Sequence, residues 1–449
     1  MPRPKKKISE ETKEAVKRGR KSKKEIGTVT GMRDILSQDQ KYWEAVREKA
    51  KRIASDYGYG RIDTPILEST EIFVRGVGKQ TDIVEKEMFS FIDQGGDNLS
   101  LRPEMTASVA RAYIQHGMVN QTQPVKFFYF GPAFRHEKPQ SGRYRQFYQL
   151  GYEAIGESSP ALDAQLILLG FNILNELGVE SVIQINSIGC IVCREEYKKN
   201  LTKFYKSKEK LLCEDCKRRL AKNPLRLLDC KEEGCRNLRD EAPQILDYLD
   251  DECKKHFMKV VEYLDELDLP YVLNPYIVRG LDYYNRTIFE FLSSDDTEGK
   301  TALGGGGRYD GLVELMGGRE QTPACGFSLG VDRVVAKLRE KEIEVKEETP
   351  DIFLAQLGES AKKKAFTLYE RLRRVGIRSS QAFYKDNLKV QLEMANKLKV
   401  KFTLILGQKE VGDGTILIRD MEGGIQEVVD FNKIEGEMKK RLEKLEDIK

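Results

Sequence analysis

A chain of 449 residues, 40% hydrophobic and 33% charged, is long enough for two or three domains with real cores. Its formal net charge of +4 is unevenly held: the first 26 residues carry eleven Lys or Arg against four Asp or Glu, which leaves −3 for the rest and excludes a generic polycation. No stretch approaches the roughly 18 apolar residues of a membrane span, and the Lys-rich start lacks the apolar core of a secretory signal. The chain therefore reads as cytoplasmic, not membrane-bound, with a disordered basic arm over residues 1–26 that is either a solvated tail or a loose contact for RNA phosphates.

Past the arm, Ser37 is placed to cap a helix in which Tyr42, Val46, Ala50, Ile53 and Tyr57 recur three and four positions apart until Gly58 stops it. This apolar stripe needs a partner. Pro65, in the extended stretch RIDTPILE, suits a sheet edge or an interface. From there to about residue 338, short strands and helices follow without regular βαβ alternation. That predicts an α+β core, an antiparallel sheet flanked by helices, rather than a doubly wound fold. Gly76-Val77-Gly78-Lys79-Gln80-Thr81 resembles a phosphate loop, but Gln80 stands where Ser or Thr should hold Mg²⁺ and the upstream glycine is missing, so it is not a Walker site.

The densest pattern is Gly131 to Gly156, GPAFRHEKPQSGRYRQFYQLGYEAIG. Two strand-like runs, Phe127 to Phe134 and Phe147 to Ile155, flank a charged loop with Pro139 and Gly142, as in a long hairpin. Arg135 and Arg143 suit phosphate oxygens, because guanidinium is always charged and forks onto two oxygens. Phe147 offers an apolar face for a base, and Gln149 and Glu153 project to the same side of the strand as Phe147, where they suit a polar or amine-bearing substrate. Arginines and glutamates pairing with each other on a solvated hairpin is the plainer alternative. Polar groups inside runs of Phe, Tyr and Leu are expensive without partners, which favours a site.

Further on, Cys190 and Cys193, then Cys213 and Cys216, form two CxxC pairs, with Cys230 and Cys235 following. Cys190, Cys193, Cys213 and Cys216 suit a tetrahedral structural Zn²⁺; the alternative is free cysteines in a small helical insertion over about 190–256. Gly304 to Gly307 permits close backbone approach to a ligand, or a bulge, but is not a dinucleotide fingerprint. The charged run Glu340 to Pro350 marks a boundary. Residues 350–449 then alternate strand-like IFLAQ, FTLILG and TILIRD with helical segments, a mixed α/β unit. Asp351 to Lys409 holds 13 Lys or Arg against 5 Asp or Glu, a solvated face or an RNA-binding surface.

Six segments, GMRDIL (31–36), TDIVEKEMFSF (81–91), LRPEMT (101–106), the hairpin, RGLDYYNRT (279–287) and GFSLGVDRV (326–334), together resemble the histidyl-tRNA synthetase family of class II aminoacyl-tRNA synthetases. The resemblance implies a class II catalytic domain over 27–340 with motifs 1, 2 and 3 and an anticodon-binding domain over 350–449. It implies ATP-dependent ligation of L-histidine to tRNA(His) through a histidyl-adenylate, with Mg²⁺ and a homodimer joined through motif 1. By the same resemblance Arg135 and Arg279 are catalytic cations at the α-phosphate. Glu104, Met105, Thr106, Arg135, Gln149, Glu153, Arg279, Tyr283 and Tyr284 form the histidine site, with Glu153 and Tyr284 each on one imidazole nitrogen. Arg135, Glu137, Arg143, Tyr144, Phe147 and Arg333 bind ATP, and Lys138, Gln140 and Arg145 meet the tRNA acceptor end. A paralogue that senses histidine without charging tRNA would lack the Arg279 to Tyr284 segment and the C-terminal unit, and both are present.

Overall fold

The computed structural model describes residues 26–79, 81–138, 142–295, 302–345 and 349–446; residues 1–25 of the basic arm, and Gln140, lie outside the described residues. The chain divides into two compact units, Met1–Val345 and Lys346–Lys449.

The first unit is built on an eight-stranded sheet. Across it the strands run Gly60–Arg61, Val125–Phe134, Gln146–Ile155, Ala324–Gly330, Ala302–Arg308, Asn285–Ser293, Ser181–Ser187, Tyr271–Leu273. The six central strands pair antiparallel, and only the short outermost strands pair parallel. This is the antiparallel, helix-flanked sheet that the lack of βαβ alternation predicts. Pro65 falls just beyond the edge strand Gly60–Arg61, where a missing N–H costs no ladder bond.

Alternation along the strands sorts the two faces. Leu150, Tyr152 and Ala154 point into the larger core with Phe289, Phe291 and Phe327, against the helices Ser37–Asp56, Pro160–Glu176, Asp251–Glu266 and Val331–Glu340. Tyr129, Ile155 and Ile288 join a second cluster, with the helix Thr106–Gln115 and with Tyr283, Tyr284 and Tyr309.

The helix Ser37–Asp56 differs from expectation in two respects. Ser37 is its first helical residue; Leu36 is the cap residue, and no side chain caps the helix. Its stripe includes Trp43 as well as Val46, Ala50 and Ile53, all at most 2% exposed, and it is buried within its own chain. Tyr152 donates to the Ala50 carbonyl at 2.7 Å and pins the helix to the sheet. The stripe thus finds its partner in its own sheet.

Residues 191–239 form a helical insertion, with Ile191–Ser207, Glu214–Lys222 and Glu233–Arg239 around a small core of Tyr197, Leu201, Tyr205, Leu220 and Leu238. The second unit has a five-stranded mixed sheet in the order Ser379–Gln381, Ile352–Gln356, Phe402–Leu406, Thr415–Asp420, Gln426–Asp430, with the first three parallel and the last two antiparallel. Its own core gathers Leu354, Leu368, Leu404 and Ile416. No helix among the described residues is long and apolar enough to cross a membrane.

Candidate active site

On the face of the first sheet opposite the larger core lies a cavity of about 410 Å³, lined by Glu104, Thr106, Arg135, Glu137, Arg143, Tyr144, Phe147, Gln149, Arg279, Tyr283, Tyr284 and Arg333 among others. Strand pairing explains the convergence. Gln149 lies opposite Gly131 on one side and Gly330 on the other, and Glu153 opposite Phe127 and Gly326. Gln149 and Glu153 of the hairpin therefore project from the middle of the sheet.

Cations dominate one end. The Arg135 guanidinium sits 5.3 Å from the centre of the Phe147 ring, and its Nε donates to the Pro103 carbonyl at 2.8 Å. Glu137 lies between two arginines, 3.9 Å from Arg135 and 3.6 Å from Arg143. Arg333 donates to the Ala302 carbonyl; burial lowers its pKa, and repulsion from Arg143 lowers it further. So much positive charge around one carboxylate invites a polyanion.

The other end is acidic and hydroxylic. Glu104 accepts from the backbone N–H groups of Thr106 (2.7 Å) and Ala107 (2.9 Å), closing the start of the helix Thr106–Gln115. Burial raises its pKa, and those two bonds pull against the rise. Glu153 lies deeper, 1% exposed. Its Oε1 accepts from Thr106 Oγ1 at 2.7 Å and from the Tyr129 hydroxyl at 3.0 Å, and its Oε2 accepts from the Tyr309 hydroxyl. Burial pushes this carboxyl up to about 8, against the pull of the three hydroxyls. Glu153 is the floor beneath the cavity rather than part of its wall. Met105 is also set back: it is 1% exposed in the apolar cluster behind Tyr283 and Tyr284, so its side chain is core and not pocket.

Arg279 spans the two ends. Its Nη1 donates to Glu290 at 2.6 Å, and its guanidinium stands 5.4 Å from the Tyr284 ring centre. Burial opposes its charge, but Tyr284 and Glu290 outweigh this and hold its pKa above the ordinary arginine value. Its Nε is buried without a partner, as is Gln149 Oε1, while Gln149 Nε2 donates to Ser328 Oγ at 3.3 Å. Two orphaned polar atoms on one cavity wall mark where a ligand's polar groups belong.

The tRNA-end candidates divide. Lys138 is exposed. Arg145 braces the chain instead, donating to the carbonyls of Thr30 (3.3 Å) and Glu137 (3.4 Å).

Several functional positions escaped the sequence reading. Tyr129 and Tyr309 hold Glu153, Glu290 holds Arg279, and Ser328 holds Gln149. Asp332 accepts from Arg33 (2.9 Å) and from the Tyr148 backbone N–H (2.8 Å), tying three of the recognisable segments together. Gly151 was the available signal for Tyr129: a Cβ there would stand 2.2 Å from the tyrosine ring, so only glycine lets that hydroxyl reach Glu153. The Gly304 to Gly307 run has the bulge-like irregularity considered for it, and it also borders the cavity. It lies within the sheet with shifts in register at either end, and Gly304 and Gly305 line the cavity. A Cβ on Gly305 would lie 2.8 Å from Arg279 Nη1. In the would-be phosphate loop Gln80 lies outside the described residues, and Gly78, at φ +103°, leaves room for Asp282.

The cysteine expectation needs correction. Cys190, Cys193, Cys213 and Cys216 do not meet. Cys213 and Cys216 gather with Cys230 and Cys235, whereas Cys190 and Cys193 gather with Asp250 and Cys253. The reason is the 17-residue helix Ile191–Ser207, which begins within the first pair and at 1.5 Å per residue carries the chain ~25 Å away before the second.

Comparison with known proteins agrees with this site. A histidyl-tRNA synthetase family model matches residues 31–334, and an anticodon binding domain model matches residues 351–441. A histidine--tRNA ligase of Dehalococcoides mccartyi is 45% identical over 415 residues, covering 92% of this chain and 99% of that protein. One from Caldicellulosiruptor bescii is 42% identical over 421 residues, covering 93% and 100%. The apo crystal structure of S. aureus histidyl-tRNA synthetase matches with a TM-score of 0.78 at 35% identity, over 92% of this chain and 100% of that one. An ATP phosphoribosyltransferase regulatory subunit/histidyl-tRNA synthetase from Bacillus halodurans C, at 20% identity and a TM-score of 0.60, shares the fold. Likeness of this length, running through the very segments that build the cavity, makes this chain a member of the histidyl-tRNA synthetase family.

Proposed function

We propose that this chain activates L-histidine with ATP and esterifies it to tRNA(His). The observation that carries the reading is one cavity with an arginine-rich end for phosphates, a Glu104 and Gln149 end for an amino acid, and Arg279 between them. In the first step the histidine carboxylate attacks the α-phosphorus of ATP and pyrophosphate leaves. Negative charge grows on the α-phosphoryl oxygens, where Arg135 and Arg279 neutralise it from positions fixed by Pro103 and Glu290. Mg²⁺ enters with ATP as part of the substrate, held largely by phosphate oxygens. Arg143 and Arg333 hold the outer phosphates, with Glu137 orienting them, and Tyr144 and Phe147 flank the base.

Glu104, Thr106 and Gln149 receive the α-amino group of histidine. Tyr284 takes one imidazole nitrogen and Glu153 the other from below, with Tyr283 lining the pocket. A competitor lacking a ring nitrogen forgoes its bond to the buried Tyr284 hydroxyl or to the remaining acceptor capacity of Glu153, which suffices for roughly 10⁴-fold rejection. In the second step the terminal ribose hydroxyl of the tRNA attacks the adenylate carbonyl and AMP leaves. Lys138 guides the acceptor end, with Arg145 shaping the loop, and the unit beyond residue 346 binds the anticodon. Ile66, Leu67, Phe91 and Ile92, exposed at 43%, 40%, 47% and 73% on or beside one small sheet, support self-association as a homodimer. Aminoacylation with labelled histidine tests the reading: the chain charges tRNA(His) and leaves other tRNAs uncharged. Equal charging of unrelated tRNAs, or none of any, contradicts it.

A further inference from the structure

The helical insertion carries an unusual group, set into its small core. The sulfurs of Cys213, Cys216, Cys230 and Cys235 all lie within 4.8 Å of one another. Cys213 Sγ and Cys230 Sγ are 3.8 Å apart, and none of the four is in a disulfide. With Zn–S bonds of about 2.3 Å, a tetrahedral site has sulfur-to-sulfur edges of about 3.8 Å. The Cys213 backbone N–H donates to Cys235 Sγ at 3.3 Å, which holds that sulfur towards the group. Three of the four side chains are buried: Cys216, Cys230 and Cys235.

We propose that Cys213, Cys216, Cys230 and Cys235 bind one structural Zn²⁺ that clamps the insertion and thereby fixes one rim of the active-site cavity. Four thiolates leave no open coordination position, so the metal is a clip and not a Lewis acid for substrate. What it clips bears on the site. Cys230 sits between Asp229 and Lys231, and these two line the cavity together with Arg226. Arg226 also stands 3.5 Å from Asp82, and Lys222 3.1 Å from Glu85, in the segment TDIVEKEMFSF of the catalytic sheet unit. Closing the loop from Cys216 to Cys230 holds this rim in register with those carboxylates.

The neighbouring group of Cys190, Cys193, Asp250 and Cys253 is less suited. Its Asp250 is exposed and already caps the helix Asp251–Glu266 by accepting from the Cys253 N–H at 2.7 Å.

Metal analysis of the full-length protein tests the assignment independently of any activity. Zinc is measured per chain after gel filtration through a mild chelator, for the wild type, for Cys230→Ser and for Cys253→Ser. The expected result is that Cys230→Ser holds one zinc fewer per chain than wild type. Wild-type protein reconstituted with Co²⁺ should show the absorption of a tetrahedral tetrathiolate site, and Cys253→Ser should retain that spectrum. Should Cys230→Ser fail to fold, the cobalt spectra of wild type and Cys253→Ser decide alone. Wild type without tightly bound metal, equal zinc in wild type and a folded Cys230→Ser, or no tetrathiolate spectrum overturns the proposal.

Discussion

Glu153 occupies a position where a carboxylate is costly, and three hydroxyls from Thr106, Tyr129 and Tyr309 are spent on it. Its pKa rises from an ordinary 4.5 to about 8, so the folded protein holds this proton more tightly than the unfolded chain. The contribution to stability is therefore complete below the unfolded value and is lost as pH rises through the folded one. Glu153→Gln should gain stability relative to wild type between about pH 5 and about pH 9, on the order of a few kcal/mol, while losing histidine activation. Melting curves across that range check it, and a pH-independent difference between the two proteins argues against the raised pKa. Arg279 makes the complementary case. Replacement by Ala should leave the KM for histidine within a few-fold while slowing adenylate formation by roughly 10²–10³-fold, because the charge it meets develops in the transition state. Single-turnover kinetics separate this from a binding defect, which would raise KM with the rate constant intact. Both residues were readable from their segments. Their supports were not, because nothing in the sequence around Tyr129, Tyr309 and Glu290 shows that folding brings them against Glu153 and Arg279.

Among the elements, the helix Ser37–Asp56 shows how far periodicity carries. Spacing gave its face correctly at Val46, Ala50 and Ile53, but spacing alone does not say what covers that face. The cover is the chain's own sheet, and Tyr152, to which no role was assigned, supplies the fastening. Tyr152→Phe keeps the ring stack with Phe327 and loses only the bond to the Ala50 carbonyl, so it should destabilise by about 1 kcal/mol with histidine activation retained. Denaturant titration reads this, and an unchanged midpoint means the hydroxyl is not holding the helix. The cysteine pairs mark the opposite limit. CxxC spacing is a local signal, whereas which pairs meet depends on the helix between them, whose length is visible in the sequence but whose direction is not.

The whole molecule separates amino-acid activation from tRNA selection along the chain. The catalytic unit contains the cavity and its supports, and the unit from Lys346 has a core of its own. A chain ending at Val345 should therefore keep histidine-dependent adenylate formation within about tenfold while its charging of tRNA falls far more, since anticodon contacts contribute to tRNA binding and not to the chemistry at phosphorus. Parallel loss of both reactions would show that the catalytic unit needs the second one to be competent. The antiparallel sheet, the division near residue 345 and the arginine-rich hairpin follow from strand pattern, charge and proline placement. The shape of the cavity does not, because it arises where glycines at 151, 305 and 326 leave room for Tyr129, Arg279 and Glu153. The most direct test of the central claim is exchange of labelled pyrophosphate into ATP by the full-length chain, measured with each amino acid in turn. The site described here predicts exchange with histidine alone; exchange with several amino acids, or none above background with histidine, contradicts it.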